Sequence, residues 1–389
     1  RGLGVTLGGM CVALPLALLL FAAEPAETVV WQTDAGPQSV TGRVILEGDD
    51  GGVLLKGRDG ALHAVAATRL TSRTPTGEPF APLPADELAA TLAEELGAGA
   101  ATRVTPHFAI ASTASPEFTA WAGDLLEAVH AGFVAEFPPA TFPTPEGGPA
   151  GPLPVLILRD RAAFEAFAQR PEQAARGVNP ALSQGYYDPV SNRIVLYDFA
   201  GSPSPLGGAR GGASVRERAA NRQANVATVA HEAIHQLAYN AGLHTRLASN
   251  PLWLTEGLAM QGEATDRRTP LGWRGFDGGK NVVRAKTFRQ FLAARRRDRE
   301  LRDTNPLGKL IAADTLFSDP TVAEAAYAVS WALVNHLRED RPEAFAAYLT
   351  DLAALPPLVP QSPEDRLALF QKHFGQDLDG LWDAVQTVR

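Results

Sequence analysis

The feature that most limits what this chain can fold into is a five-residue run, His231-Glu232-Ala233-Ile234-His235. On a helix, positions i and i+4 lie on one face, one turn apart, so two imidazoles spaced in this way can both reach one metal ion. Glu232 follows the first imidazole directly. From there its carboxylate can reach a metal-activated water and accept its proton, which is the physical logic of the H-E-x-x-H pattern. The run therefore predicts a helix whose other faces are buried. Val226, Val229, Ile234, Leu237 and Ala238 supply those apolar flanks. With eight histidines in 389 residues, composition alone produces such a run in about one chain in a hundred.

A catalytic zinc site takes three protein ligands and leaves a position open for water. A third histidine soon after the helix is excluded, because the required glycine and histidine positions hold Ala238 and Ala241. The alternative is a glutamate on a following helix, and Trp253-Leu254-Thr255-Glu256-Gly257 supplies one. A short helix is expected from Asn250-Pro251, with Asn as its cap and Pro in its first turn. An antiparallel packing would turn Glu256 back toward the two histidines. Glu263 lies two turns further along the same face, about 10 Å away, and is a poorer second candidate.

The rest of the chain divides by pattern. Stretches 28–32, 39–46, 52–56 and 62–70 are rich in Val, Leu and Thr and are separated by turn sequences that include Asp50-Gly51 and Asp59-Gly60, predicting a small barrel or curled sheet. Pro75, Pro79, Pro82 and Pro84 predict a linker, followed by a helix over 86–96. Strands are expected at 108–112, 153–158, 185–187 and 193–197, with helices at 117–137 and 160–168. The stretches 141–152 and 201–214 read as loops, and the motif helix should begin near Ser214 or Arg218 and stop at Gly242. Beyond residue 280 the pattern is almost wholly helical: 284–298, 321–338, 341–354, 363–374 and 377–387. Trp253 and Trp331 read as core aromatics, Asn240 and His244 as capping or surface groups, with support of the metal ligands as their alternative role, and Arg295-Arg296-Arg297 as a solvated helix face.

A net charge of −8 gives no electrostatic reason to expect nucleic acid as a partner. The single cysteine, Cys11, excludes an internal disulfide, so stability has to come from the core. Residues 2–23 carry no charge and become dense in Leu and Ala after Val12. They resemble an export leader, with an uncleaved membrane anchor as the competing reading.

At this point His231-Glu232-x-x-His235 together with Trp253-x-x-Glu256-Gly257-x-Ala259 resembles the gluzincin group of zinc metallopeptidases. The wider runs around both halves are similar to a bacterial exported family called domain-of-unknown-function 1570. Gly185-Tyr186-Tyr187, Asn192 to Asp198 and Tyr327-Ala328-Val329-Ser330-Trp331 fit that family too. The resemblance spans about residues 100 to 350. It implies an α+β fold with a thermolysin-like zincin core, made of a small mixed sheet and the motif helix, plus a helical C-terminal part and a small N-terminal β module. It also implies Zn2+ held by His231, His235 and Glu256, Glu232 as general base, and a Tyr or His donor to the oxyanion. Tyr327 is the candidate donor from its place after the Glu256 helix, with Tyr187 and His244 weaker.

The expected organisation is a signal peptide or anchor over 1–26, the β module over 27–75, a linker and helix over 76–100, the zincin core with its metal site over 101–265 and a helical subdomain over 266–389. The leading functional expectation is an exported zinc metallopeptidase acting on a peptide or protein substrate, which an edge strand near 186–187 or 193–197 would align by strand addition. The membrane enters only through the possible anchor, and the pattern sets no oligomeric state. A non-catalytic binding protein on the same fold, recognising a peptide or cell-envelope partner, is the alternative. A closed structural zinc domain is the third.

Overall fold

The computed structural model describes residues 25–138, 151–174, 184–200, 223–276, 281–299 and 304–388, with 215, 218, 219, 301 and 302 besides. The leader, the 201–214 loop, most of the 141–152 linker and the start of the motif helix lie outside the described residues. The fold is α+β, with two five-stranded sheets and a helical remainder.

The first sheet holds β1 (Pro25–Thr33), β2 (Gly36–Glu47), β3 (Val53–Gly57), β4 (Leu62–Val65) and β5 (Leu70–Pro79), in the order β4-β3-β2-β1-β5. Alternation along the strands buries Val29, Trp31, Val53, Leu55 and Val65 in a small core of their own. Gly60 closes the β3–β4 hairpin at φ +85°, a conformation that suits glycine. Two expectations change here. The fourth predicted strand breaks after Val65 into a short turn of helix before β5 begins. The predicted linker starts later, because β5 runs through Pro75 and Pro79, which pair with Glu27 and Pro25. Proline is tolerated there because β5 is an edge strand and a missing N–H on the outer side breaks no ladder.

The second sheet holds β6 (Ala101–Val104), β7 (Phe108–Ser112), β8 (Leu153–Leu158), β9 (Gly185–Asp188) and β10 (Arg193–Tyr197), in the order β6-β7-β8-β10-β9. The three central strands are parallel, and β6 and β9 are antiparallel edges. β7 and β8 are buried along their whole length, as continuous apolar runs in a covered parallel sheet should be. β6 escapes sequence reading because it is short and polar, and three of its four residues are exposed.

Between β7 and β8 runs the helix Pro116–Glu136, capped by the Ser115 hydroxyl on the Phe118 N–H. It buries Phe118, Trp121, Leu125, Val129 and Phe133, each worth about 1.5–3 kcal/mol when taken from water. The motif helix, Gln223–Asn240, lies against this helix and against β9 and β10. Gln236, fully buried, pins it to the sheet by donating to the carbonyls of Pro154 (3.0 Å) and Asn192 (2.7 Å).

The C-terminal helices share this core, which continues without a break from Leu88 to Val385. Trp253 and Trp331 are both buried in it. The helix Leu252–Ala259 packs on the helix Ala323–Asp340 so closely that a Cβ at Gly257 would sit 2.5 Å from Val334 and 2.7 Å from the Ser330 carbonyl. Asn250 is not the cap of Leu252–Ala259. Its amide closes its own loop on the Thr245 carbonyl (2.8 Å), and Asp314, 62 residues away, accepts the Leu252 N–H at 2.9 Å. Arg295 also departs from expectation. It is buried, lies over the Trp382 ring at 5.4 Å and donates to the Thr304 carbonyl, so only its neighbours Arg296 and Arg297 face water.

Candidate metal centre

The motif helix places His231 and His235 one turn apart with both Nε2 atoms facing the same point, 3.1 Å from each other. Glu256 completes the group. Its Oε2 lies 3.3 Å from His231 Nε2 and its Oε1 lies 3.5 Å from His235 Nε2. Tetrahedral zinc with bonds of 2.0–2.1 Å needs donor atoms about 3.3 Å apart. Two imidazole nitrogens and a carboxylate at these separations therefore fit that ion in chemistry and in spacing. Gly257, next to Glu256, lets the Glu256 helix seat closely on Ala323–Asp340.

Glu263 does not share the ligand face. After Ala259 the helix tightens to a 3-10 turn, Met260–Gly262, with Gly262 pressed on Ile234. This rotates Glu263 behind His231, where its Oε1 lies 3.0 Å from His231 Nδ1. Arg284 clasps the same carboxylate with two bonds, of 2.8 and 2.7 Å, and Asn281 adds a third at 3.0 Å. A carboxylate on the far nitrogen fixes the tautomer and ring angle of a metal-binding histidine. Sequence reading missed this role, and that of Arg284, because the relevant turn is not a regular helix.

Glu232 is nearly buried and has one Oε2 fixed by the Tyr187 N–H at 2.8 Å. Burial pushes its carboxyl up to about 7, with His231 opposing and Glu256 adding to the rise. Burial works to lower the His231 imidazole, but the carboxylates of Glu256 and Glu263 outweigh it and raise it well above its ordinary value. Burial lowers His235 to about 4. Burial works to raise Glu263, but Arg284 and His231 hold it down to about 2. Three carboxylates around two imidazoles, offset by one arginine, leave a demand for positive charge at this point.

The centre opens on a cleft of about 640 Å³. Gly185 to Tyr187 of the edge strand form one wall, the motif helix another, and Arg284 and Tyr327 line it as well. Burial, with the Glu256 charge, pushes the Tyr327 hydroxyl up to about 12, so it stays a donor. Tyr187 also reaches the cleft, but its hydroxyl donates to Asn192 Oδ1 at 2.9 Å, so its backbone N–H is what meets the site. His244 is fully buried and does not line the cleft; its ring stands edge-on to Tyr239 at 5.3 Å. Asn240 is taken by Asn192, with which it exchanges amide bonds of 3.1 and 2.7 Å.

One other His/Glu group lies close among the described residues: His107, Glu127 and His130. There the two imidazoles stack face to face at 3.6 Å, so no single ion can lie in the plane of both rings. Glu127 is already taken by the Thr105 hydroxyl, the His107 N–H and the His107 ring. This group ties a turn to a helix.

The fold and the donors thus define an α+β protein with a candidate mononuclear metal centre on two packed helices. Residues 225–359 match the model of a family described as "Protein of unknown function (DUF1570)", which supports the family resemblance over that stretch. The matched segment carries both histidines, Glu232, Glu256, Glu263, Arg284 and Tyr327. No curated protein matches the chain.

Proposed function

We propose that the chain is an exported zinc-dependent metallopeptidase of the gluzincin type, with a thermolysin-like core. The observation that carries this reading is a set of three donor groups, two imidazole nitrogens and the Glu256 carboxylate, with atoms 3.1 to 3.5 Å apart, facing an open cleft with a further carboxylate, Glu232, beside them. A closed structural site has no use for the cleft or for Glu232. Export rests on the apolar leader alone.

His231, His235 and Glu256 would hold the zinc ion. When bound, it supplies Lewis acidity, polarising a carbonyl and making a water acidic near neutral pH. The chain's own groups do the rest. Glu232, oriented by the Tyr187 N–H, accepts the proton and returns it to the leaving amine. Tyr327, protonated throughout, donates to the oxygen on which negative charge grows. Glu263 and Arg284 keep His231 in one orientation. An extended peptide laid along β9 would be aligned by the edge strand.

The test is metal content of the purified chain by elemental mass spectrometry, with Glu256→Ala beside it, followed by a screen against a fluorogenic peptide library. One zinc per chain, much weakened in the variant, together with cleavage supports the proposal. Zinc without cleavage of any peptide would turn the reading to a binding protein on the same fold. No metal after zinc is supplied would overturn the site itself.

A further inference from the structure

The N-terminal sheet meets the second sheet at the turn next to the cleft wall formed by β9. The Leu62 N–H at the start of β4 donates to the Val190 carbonyl at 2.7 Å. Arg246, nearly buried, donates from Nη1 to the Gly60 carbonyl at 2.7 Å and to the Pro189 carbonyl at 3.5 Å. Arg193, the first residue after the turn, pairs with Glu95 and lies 4.0 Å from Asp59. Residues 189–192 form the turn between β9 and β10, so the β3–β4 hairpin is clamped onto it from outside.

The turn passes that restraint inward. Asp188 accepts the N–H groups of Val190 (3.0 Å) and Ser191 (3.2 Å), which locks its first half. Asn192 ends it in the left-handed region, at φ +61°. Its side chain joins the Tyr187 hydroxyl to Asn240 of the motif helix, and its carbonyl takes Gln236. Tyr187 in turn holds Glu232 through its N–H. An unsupported edge strand is the least protected part of a sheet, and local opening starts at such elements.

We propose that the N-terminal β module is a brace for the catalytic wall, with Arg246 and Asn192 as positioning residues that hold β9, and through Tyr187 the Glu232 carboxylate, in register with the metal ligands. The effect on catalysis rests on the reading of Glu232 as general base; the brace itself does not.

Amide hydrogen exchange of the full chain tests it without substrate. Arg246→Ala should raise exchange at Tyr186 to Asp188 at least about tenfold, while β8 is unchanged. Arg246→Lys, which keeps a donor, should restore part of the protection. Zinc stoichiometry should stay at the wild-type value, because no ligand sits on β9. If the wild type cleaves a fluorogenic peptide, kcat should fall about tenfold to a hundredfold in Arg246→Ala, with KM moving much less. Should Arg246→Ala fail to fold, Asn192→Gly keeps the left-handed backbone, removes only the side-chain junction, and should show the same rise. Unchanged exchange in β9 of a folded variant overturns the brace. Faster exchange spread evenly over both sheets overturns it equally, since it would mean general loosening. A wild type that cleaves nothing removes the peptidase reading and leaves the exchange result intact.

Discussion

Three carboxylates crowd two imidazoles, and each is bound differently. Glu256 meets both Nε2 atoms, Glu263 is taken by Arg284 and Asn281, and Glu232 has a single backbone N–H. In the proposed mechanism the first is a ligand, the second orients one, and the third moves a proton. Glu232→Gln keeps size and the Tyr187 bond but removes the base. It should retain zinc by elemental analysis and lose hydrolysis by about 10²- to 10⁴-fold; equal turnover in the variant would sink the mechanism. Glu263→Gln should weaken zinc about 10- to 100-fold, measured by competition with a chromophoric chelator. Unchanged affinity would make Glu263 only a partner for Arg284. The juxtaposition of His231, His235 and Glu256 was legible in the sequence because two of them are local on one helix and the third follows in a short, well-marked one. The group behind His231 was not, because it depends on a 3-10 turn and on a second helix, Val282–Arg297, that begins after residue 281.

At the scale of elements, strands and helices with strong apolar periodicity were readable, and two of the misreadings share one cause. Pro75 and Pro79 mark a linker by composition, yet an edge strand accepts them. Asn250 looks like a cap, yet a distant Asp314 does the capping. In both cases a tertiary partner decides what local propensity leaves open. Gly257 shows the same dependence and yields a prediction. A Cβ there would press on Val334 and the Ser330 carbonyl, and overpacking of this kind costs about 1–3 kcal/mol. Gly257→Ala should lower the melting temperature and, by shifting the Glu256 helix, weaken zinc. Gly308→Ala is the control: its nearest neighbour would be 3.8 Å away, and a helical Ala is favoured over Gly by up to about 1 kcal/mol. If calorimetry and zinc titration find the two variants alike, the close helix approach does not set the site.

Across the whole molecule, the candidate metal ligands line a cleft in a body whose hydrophobic core, among the described residues, reaches from the helix at Ala85–Leu96 to the last helix, Leu378–Val385. Among the described residues, buried side chains on both sides of residue 265 belong to one cluster. Zinc bound between the motif helix and the Glu256 helix should therefore stabilise this entire body in one cooperative step. The β module, with a separate small core, should feel it only through its contacts with the β9–β10 turn. A ligand that binds the folded state alone stabilises by RT ln(1 + [L]/Kd), about 2.7 kcal/mol at a hundredfold excess over Kd. For a body of this size that is a rise of several degrees in melting temperature. Scanning calorimetry with zinc and then with a chelator should show the main transition move up and return. Glu256→Ala should abolish most of the shift, because two imidazoles without the carboxylate make an incomplete site. An equal shift in that variant would mean that zinc binds elsewhere on the surface. A shift confined to a minor transition would mean that the two helices are not coupled to the rest of the core, contrary to the continuous packing through Trp253, Trp331 and Phe288.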